Sequence, residues 1–278
     1  MNTLTTAAPA PSASPARDTA TPTDRPTPAV RHVAHYVAHS VLATLRDWAF
    51  LAFVVAMPTT MYLFFANIYG DQQSGANNGA SVAAVMMVTM ATYGALGAAM
   101  SAGAQIQTER ATGWFRQLML TALTPAQFLV AKIAVAVTVI VPAIGAVFVA
   151  GAARGVRMDA GTWAASGALI LVSLLPMVVL GLVIGLWLKQ AAAGAATTLT
   201  MLALSMLGGL WFPLDLMPDA MAAIGRTLPS YWAGRIGTWP IAGGDFPWQG
   251  VWVIGIWTVS LVVLGALGYR RAVRTSRR

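Results

Sequence analysis

The sequence has no cysteine and only three histidines in 278 residues. A disulfide framework, a thiolate zinc site, an iron–sulfur cluster and a nucleophilic cysteine are thereby excluded. Charge is equally scarce. Only 9% of residues are Asp, Glu, Lys or Arg, against roughly 25% in soluble domains, while 57% are apolar against roughly 45–50%. The chain is not an ordinary soluble globule. Its formal net charge of +8 suggests nucleic acid at first sight, but five arginines crowd into the last nine residues, directly after an apolar run. Such a tail reads as a membrane flank, and no nucleic-acid partner is expected.

What is present is apolar sequence in long pieces. Six charge-free stretches occur, at 48–70, 72–108, 133–153, 160–188, 190–214 and 246–269. Each exceeds the roughly 18 residues that mark a spanning candidate. Trimmed at their Trp, Tyr, Pro and Gly edges, they predict spans near 48–68, 80–104, 132–152, 163–188, 191–211 and 250–269. Helices are the expected form, because backbone groups in hydrocarbon must be satisfied within the segment, and the runs are continuous rather than alternating as in a barrel. Six spans put both termini on one side. The segments on that side hold thirteen Lys and Arg, and the other side holds four: Arg154, Arg157, Arg226 and Arg235. The positive-inside bias then predicts cytoplasmic termini.

The first thirty residues are rich in Ala, Pro, Thr and Ser and are expected to form a disordered cytoplasmic tail. No apolar core follows Met1, so a cleaved secretory signal is not expected. Residues 31–270 form the expected membrane domain, and 271–278 a basic cytoplasmic tail. Between Arg31 and Asp47, Val33, Val37, Val41, Leu42 and Leu45 recur at helical spacing, which predicts an amphipathic interfacial helix. His32, His35 and His39 can share one side of it. No carboxylate or thiolate joins them, and no metal site is assigned.

The spans also lack ionisable residues well inside, which argues against a proton relay and against acid, base or metal chemistry at membrane depth. Sodium coupling through broken helices stays open. Small residues four apart (Gly94 with Ala98, Gly97 with Ser101, Gly181 with Gly185) allow close helix approach. Met86, Met90 and Tyr93 share a face of the second span, and Thr198, Met201 and Ser205 share one of the fifth. These stripes read either as packing or as the lining of a weakly polar, adaptable path for an amphipathic substrate.

Two connecting segments carry most of the information. After the second span comes QIQTERATGWFRQLMLTALTPAQFLVAK, residues 105–132, in which Thr108 can cap a helix, Gly113 divides the stretch, and Thr124-Pro125 opens another helix. Trp114, Phe115 and Leu118 give it an apolar face beside Glu109, Arg110 and Arg116. After the fifth span comes GGLWFPLDLMPDAM, continuing to LPSYW, with Trp211, Phe212, Pro213, Met217 and Pro218. Its apolar residues predict short helices dipping back toward the bilayer, either as an aromatic belt or as a cap over a path.

Together these segments resemble the ABC-2 type permeases, the membrane halves of ATP-driven exporters that include the daunorubicin-resistance type. The carriers are the E-R-x-x-G and L-x-x-T-P patterns of residues 109–125 with Lys132 following, and Phe212-Pro213 with Met217-Pro218. The resemblance covers about residues 31–278. It implies an all-α integral membrane fold with six transmembrane helices, an N-terminal interfacial helix, a cytoplasmic coupling helix between the second and third spans, and short re-entrant outer helices between the fifth and sixth. By the same resemblance, Glu109, Arg110, Gly113, Trp114, Phe115, Arg116, Leu118, Thr124 and Pro125 would couple to an ATPase. Trp211, Phe212, Pro213, Met217 and Pro218 would form an outer gate. The second and fifth spans would face a second permease, either a copy or a paralogue. The setting implied is a bacterial plasma membrane.

The only lysines are Lys132, followed by Ile133, and Lys189, followed by Gln190, so no G-x-x-x-x-G-K-[ST] phosphate loop exists here. ATP and Mg would bind a separate ATP-binding subunit in two copies, and this chain would carry no cofactor and no catalytic residue. A stand-alone carrier or channel, or a metal-dependent sensor using the three histidines, are the rival classes.

Overall fold

In a computed structural model of the protein, residues 37–38, 41–42, 46, 48–69, 81–112 and 125–276 are described. The expected tail 1–30, the three histidines, and Gly113, Trp114, Phe115, Arg116, Leu118 and Thr124 lie outside them. Of the expected interfacial helix, residues 37–38, 41–42 and 46 are described, and all are helical.

Every regular element among the described residues is helical. They are α1 (Trp48–Tyr69), α2 (Val82–Ala111), α3 (Pro125–Ala153), α4 (Ala160–Ser173), α5 (Leu175–Trp187), α6 (Gln190–Leu207), a 3-10 turn (Leu214–Leu216), α7 (Asp219–Gly225), α8 (Pro229–Ala242) and α9 (Trp248–Ser276). Four apolar stretches are long enough to cross a membrane: Val82–Gln107, Val130–Ala153, Ala160–Trp187 and Trp248–Arg271. Val54–Tyr69 and Ala192–Leu207 are shorter apolar helices.

The bundle is built around α2, whose 30 residues extend for about 45 Å, longer than the roughly 30 Å hydrocarbon core. Its N-terminus is capped by Ser81, whose hydroxyl accepts from the Ala84 amide at 3.2 Å. Helices α1, α3, α5, α6 and α8 all pack on it. Met87, Val88, Met90, Ala91, Leu96, Ala99 and Met100 are consequently inaccessible. The small residues flagged in the sequence sit at these crossings, with Gly94 against Pro58 of α1 and Gly97 against Met201 of α6. By contrast α9 lies at the periphery, with only 11% of its apolar stretch buried.

The fourth expected span, 163–188, is one apolar run but two helices. Leu174 caps α4 with its amide on the Ile170 and Val172 carbonyls, and Pro176 then opens α5. Proline has no amide to donate and is favoured in a first helical turn, so the run breaks where Pro176 falls.

The chain from Gly208 to Ala242 turns back into the bundle. At 14 residues α8 is about 21 Å long, too short to cross the hydrocarbon. The Trp257 indole donates to the Thr227 carbonyl at 3.0 Å, which fixes the start of this helix nine residues down α9 from Trp248. At its other end the Trp239 indole donates to the Gly244 carbonyl, and Phe246 meets both Trp239 and Trp248 edge to face. The segment therefore descends along α9 by about 13 Å and returns to the same end. Trp232, Ala233, Ile236 and Thr238 are buried along the way, and Ser230 donates to the Leu204 carbonyl of α6 at 2.7 Å.

Hydroxyls within the helices are mostly satisfied by their own backbone. Thr92 donates to Val88, Ser101 to Ala98, Thr138 to Ala134, Ser205 to Met201 and Thr258 to Ile254, each at 2.6–3.0 Å. In a medium without water this is the nearest acceptor available.

Candidate functional site

Three helix ends converge where α2 runs out at Ala111 and α3 begins at Pro125. Lys132 lies inside the second turn of α3 with no exposed surface, and its ammonium is 2.6 Å from Oε1 of Glu109, which is 13% exposed. A buried ammonium without a carboxylate at this distance would cost several kcal/mol, by order of magnitude, so the pair holds α2 and α3 in one register. Two residues before Glu109, the amide of Gln107 donates to the carbonyls of Gly185 at 2.5 Å and Leu188 at 2.9 Å, both at the end of α5. Those carbonyls are among the last of a helix and have no partner within it.

The approach that permits these bonds is made by glycine. A Cβ on Gly185 would stand 2.5 Å from the Gly103 carbonyl oxygen, one on Gly181 would stand 2.6 Å from that of Met100, and one on Gly103 would overlap the Gly181 carbonyl. The backbones of α2 and α5 are thus in direct contact over these three positions. Any displacement of the α2 end is shared with α3 through the ion pair and with α5 through the glycine seam and Gln107.

Of the coupling residues expected from the sequence, Glu109, Arg110 and Pro125 are described at this junction. Glu109 is described in full, and its carboxylate meets Lys132 rather than open solvent. Arg110 lies in the last turn of α2 and Pro125 begins α3. The intervening Gly113, Trp114, Phe115, Arg116, Leu118 and Thr124 lie outside the described residues. Gly103 and Gln107 escaped the sequence reading. The signal for Gln107 was available: it is an amide near the end of a charge-free stretch, one helical turn after a glycine.

The opposite end carries the other two expected sets. Arg154 donates to Asn67 at 3.0 Å, which marks it as the far end of α1 and α3. Just past α3, Asp159 caps α4 by accepting from the Thr162 amide at 3.0 Å and from its hydroxyl. These bonds hold the Asp159 carboxyl below the usual carboxylate range. Trp211 meets Tyr93 edge to face at 5.4 Å, and Phe212 meets Phe65 at 5.8 Å. Pro213 lines a pocket of about 90 Å³ together with Thr89, Asp215, Tyr231, Arg235 and Thr238. Met217 and Pro218 separate the 3-10 turn from α7, and Pro218 is the α7 cap residue. Along the expected substrate stripes, Met90, Tyr93 and Ser205 are buried within the chain, whereas Met86 and Met201 are half-buried and pack on the core. Thr198 is exposed and donates to its own helix at Gly194.

Among the described residues, no group of three or more His, Cys, Asp or Glu is positioned to hold a metal ion. The arrangement defines a polytopic helical membrane protein whose polar residues join helices. Comparison with known proteins agrees: the model of the ABC-2 type transporter family matches residues 32–239. The chain is also 31% identical over 217 residues to "Putative transport permease YvfS" of Bacillus subtilis (strain 168), covering 76% of this chain and 85% of that protein. The chain belongs to the ABC-2 type transporter family, and is a transport permease by that membership.

Proposed function

We propose that this chain is the permease subunit of an ATP-driven exporter that moves amphipathic small molecules, drug-like or lipid-like, across a bacterial plasma membrane. A separate ATP-binding subunit, present in two copies, supplies the energy with ATP and Mg. Two permeases, identical or paralogous, pair about a two-fold axis. Both termini are cytoplasmic.

One observation carries this reading. Glu109–Lys132 and Gln107 with the glycine seam tie three helices together where α2 ends and α3 begins. A push delivered there moves α2, α3 and α5 as one body. Arg110 and the residues from Gly113 to Thr124 meet the ATPase, while Glu109 transmits the motion through Lys132. The helix-bonded hydroxyls support a cargo recognised by shape and apolar surface, with Met86, Thr198 and Met201 along its route. Trp211, Phe212, Pro213, Met217 and Pro218 form the outer gate. No residue of this chain performs covalent chemistry.

The experiment is reconstitution into vesicles with and without the cognate ATPase, scoring uptake of a panel of amphipathic dyes. ATP-dependent transport that disappears without the ATPase, and in the ATPase-containing Gly113→Trp variant, supports the assignment. Transport by the permease alone, driven by a gradient, would replace it with a secondary carrier.

A further inference from the structure

We infer that Lys189, Arg270 and Arg271 form a binding site for the headgroup of an anionic phospholipid, seated on the indole of Trp187 where α5 meets α9. The site is built from both helices. The Trp187 indole donates to the Leu264 carbonyl of α9 at 3.1 Å. The close fit requires glycine at 268, where a Cβ would stand 2.5 Å from the indole nitrogen. The guanidinium carbon of Arg271 then lies 5.5 Å from the ring centroid. A cation held over an indole is attracted by the ring quadrupole, and indoles favour the headgroup level of a bilayer, so Arg271 is fixed at that depth.

Arg270, the preceding residue, and Lys189, two residues beyond Trp187, are also exposed. The carboxylate described at this end, Glu109, is engaged by Lys132. Beyond Arg271 the sequence adds Arg274, Arg277 and Arg278, and no acidic residue follows Asp245. The sequence from Arg270 to Arg278 thus holds five arginines and no acidic residue. Next to it, Val263, Leu264 and Leu267 of α9 are 43–54% exposed, which is the surface that acyl chains cover. An anionic phospholipid satisfies both features at once, whereas free phosphate satisfies only the first, and the ammonium of a zwitterionic lipid would oppose the charge. A bound headgroup would brace the α5 end beside Leu188, whose carbonyl receives Gln107. The inference depends on membrane embedding and not on ATP coupling, so either can fail alone.

The test is titration of the full chain, purified in uncharged detergent, with phosphatidylglycerol or phosphatidylcholine and detection of bound lipid by native mass spectrometry. The expected result is at least tenfold tighter binding of phosphatidylglycerol. Each cation near a bilayer surface is worth about fivefold, so the K189Q/R270Q/R271Q variant should lose roughly a hundredfold and R271Q alone roughly fivefold. The R226Q/R235Q variant, altered at the opposite end, should bind as the wild type does. Equal affinity of the wild type for the two lipids overturns the proposal. So does a loss in R226Q/R235Q matching that of the triple variant, or full competition by millimolar inorganic phosphate.

Discussion

Lys132 exchanges hydration for the Glu109 carboxylate, and this makes it sensitive to that neighbour. Removing one member of such a buried pair leaves the other uncompensated and typically costs about 3–5 kcal/mol. Glu109→Ala and Lys132→Ala should each lower the unfolding midpoint in detergent markedly, while the exchanged pair E109K/K132E recovers most of the loss. If the exchanged pair is as unstable as the single variants, the two residues do not act on each other. Asp159 behaves oppositely. Its carboxyl is depressed below the ordinary value by Thr162, so the stability it contributes is full above the unfolded pKa and disappears as pH falls through the folded one. Asp159→Asn should remove that acid-range dependence, read as the unfolding midpoint between neutral pH and about pH 3, the region of an ordinary carboxylate. At this scale the sequence was only half legible. Glu109 and Lys132 stood out because charge is rare, but 23 residues separate them and nothing in their spacing shows that they meet. Gln107 was missed because a search for charge passes over an amide.

The helices were more legible than their interruptions. Charge-free length located the apolar runs, since a backbone in hydrocarbon needs a continuous helix. The same criterion passed over Leu174 and Pro176, because a break inside an apolar run changes no charge. The re-entrant segment was readable from its apolar residues after Pro213 and Pro218, but its depth came only from the Trp257–Thr227 bond. Two outcomes follow for these elements. Gly185→Leu should separate α2 from α5, since the new side chain meets the Gly103 backbone rather than a flexible group. Its mark should be reduced cross-linking between cysteines placed at 107 and 188, with membrane insertion retained. For α8, a cysteine at position 227 should react much more slowly with a water-soluble maleimide than one at 244, in intact membranes. Equal rates would mean that the segment lies flat on the surface.

On the scale of the molecule, charge and contacts divide the ends in the same way. Glu109 with Lys132, Gln107 with Leu188 and Arg271 with Trp187 all fall at one end, and Arg154 with Asn67 at the other. That division was visible in the sequence as thirteen cations against four, whereas the linkage of three helices at the first end was not. The decisive measurement concerns the first end. A photo-crosslinking residue at Trp114 or Phe115, and as a control at Phe212, is introduced into the full chain in native membranes containing the cognate ATPase. The account predicts covalent capture of an ATP-binding polypeptide from positions 114 and 115 and none from 212. Capture from 212, or from none of the three while the complex still transports, would contradict it.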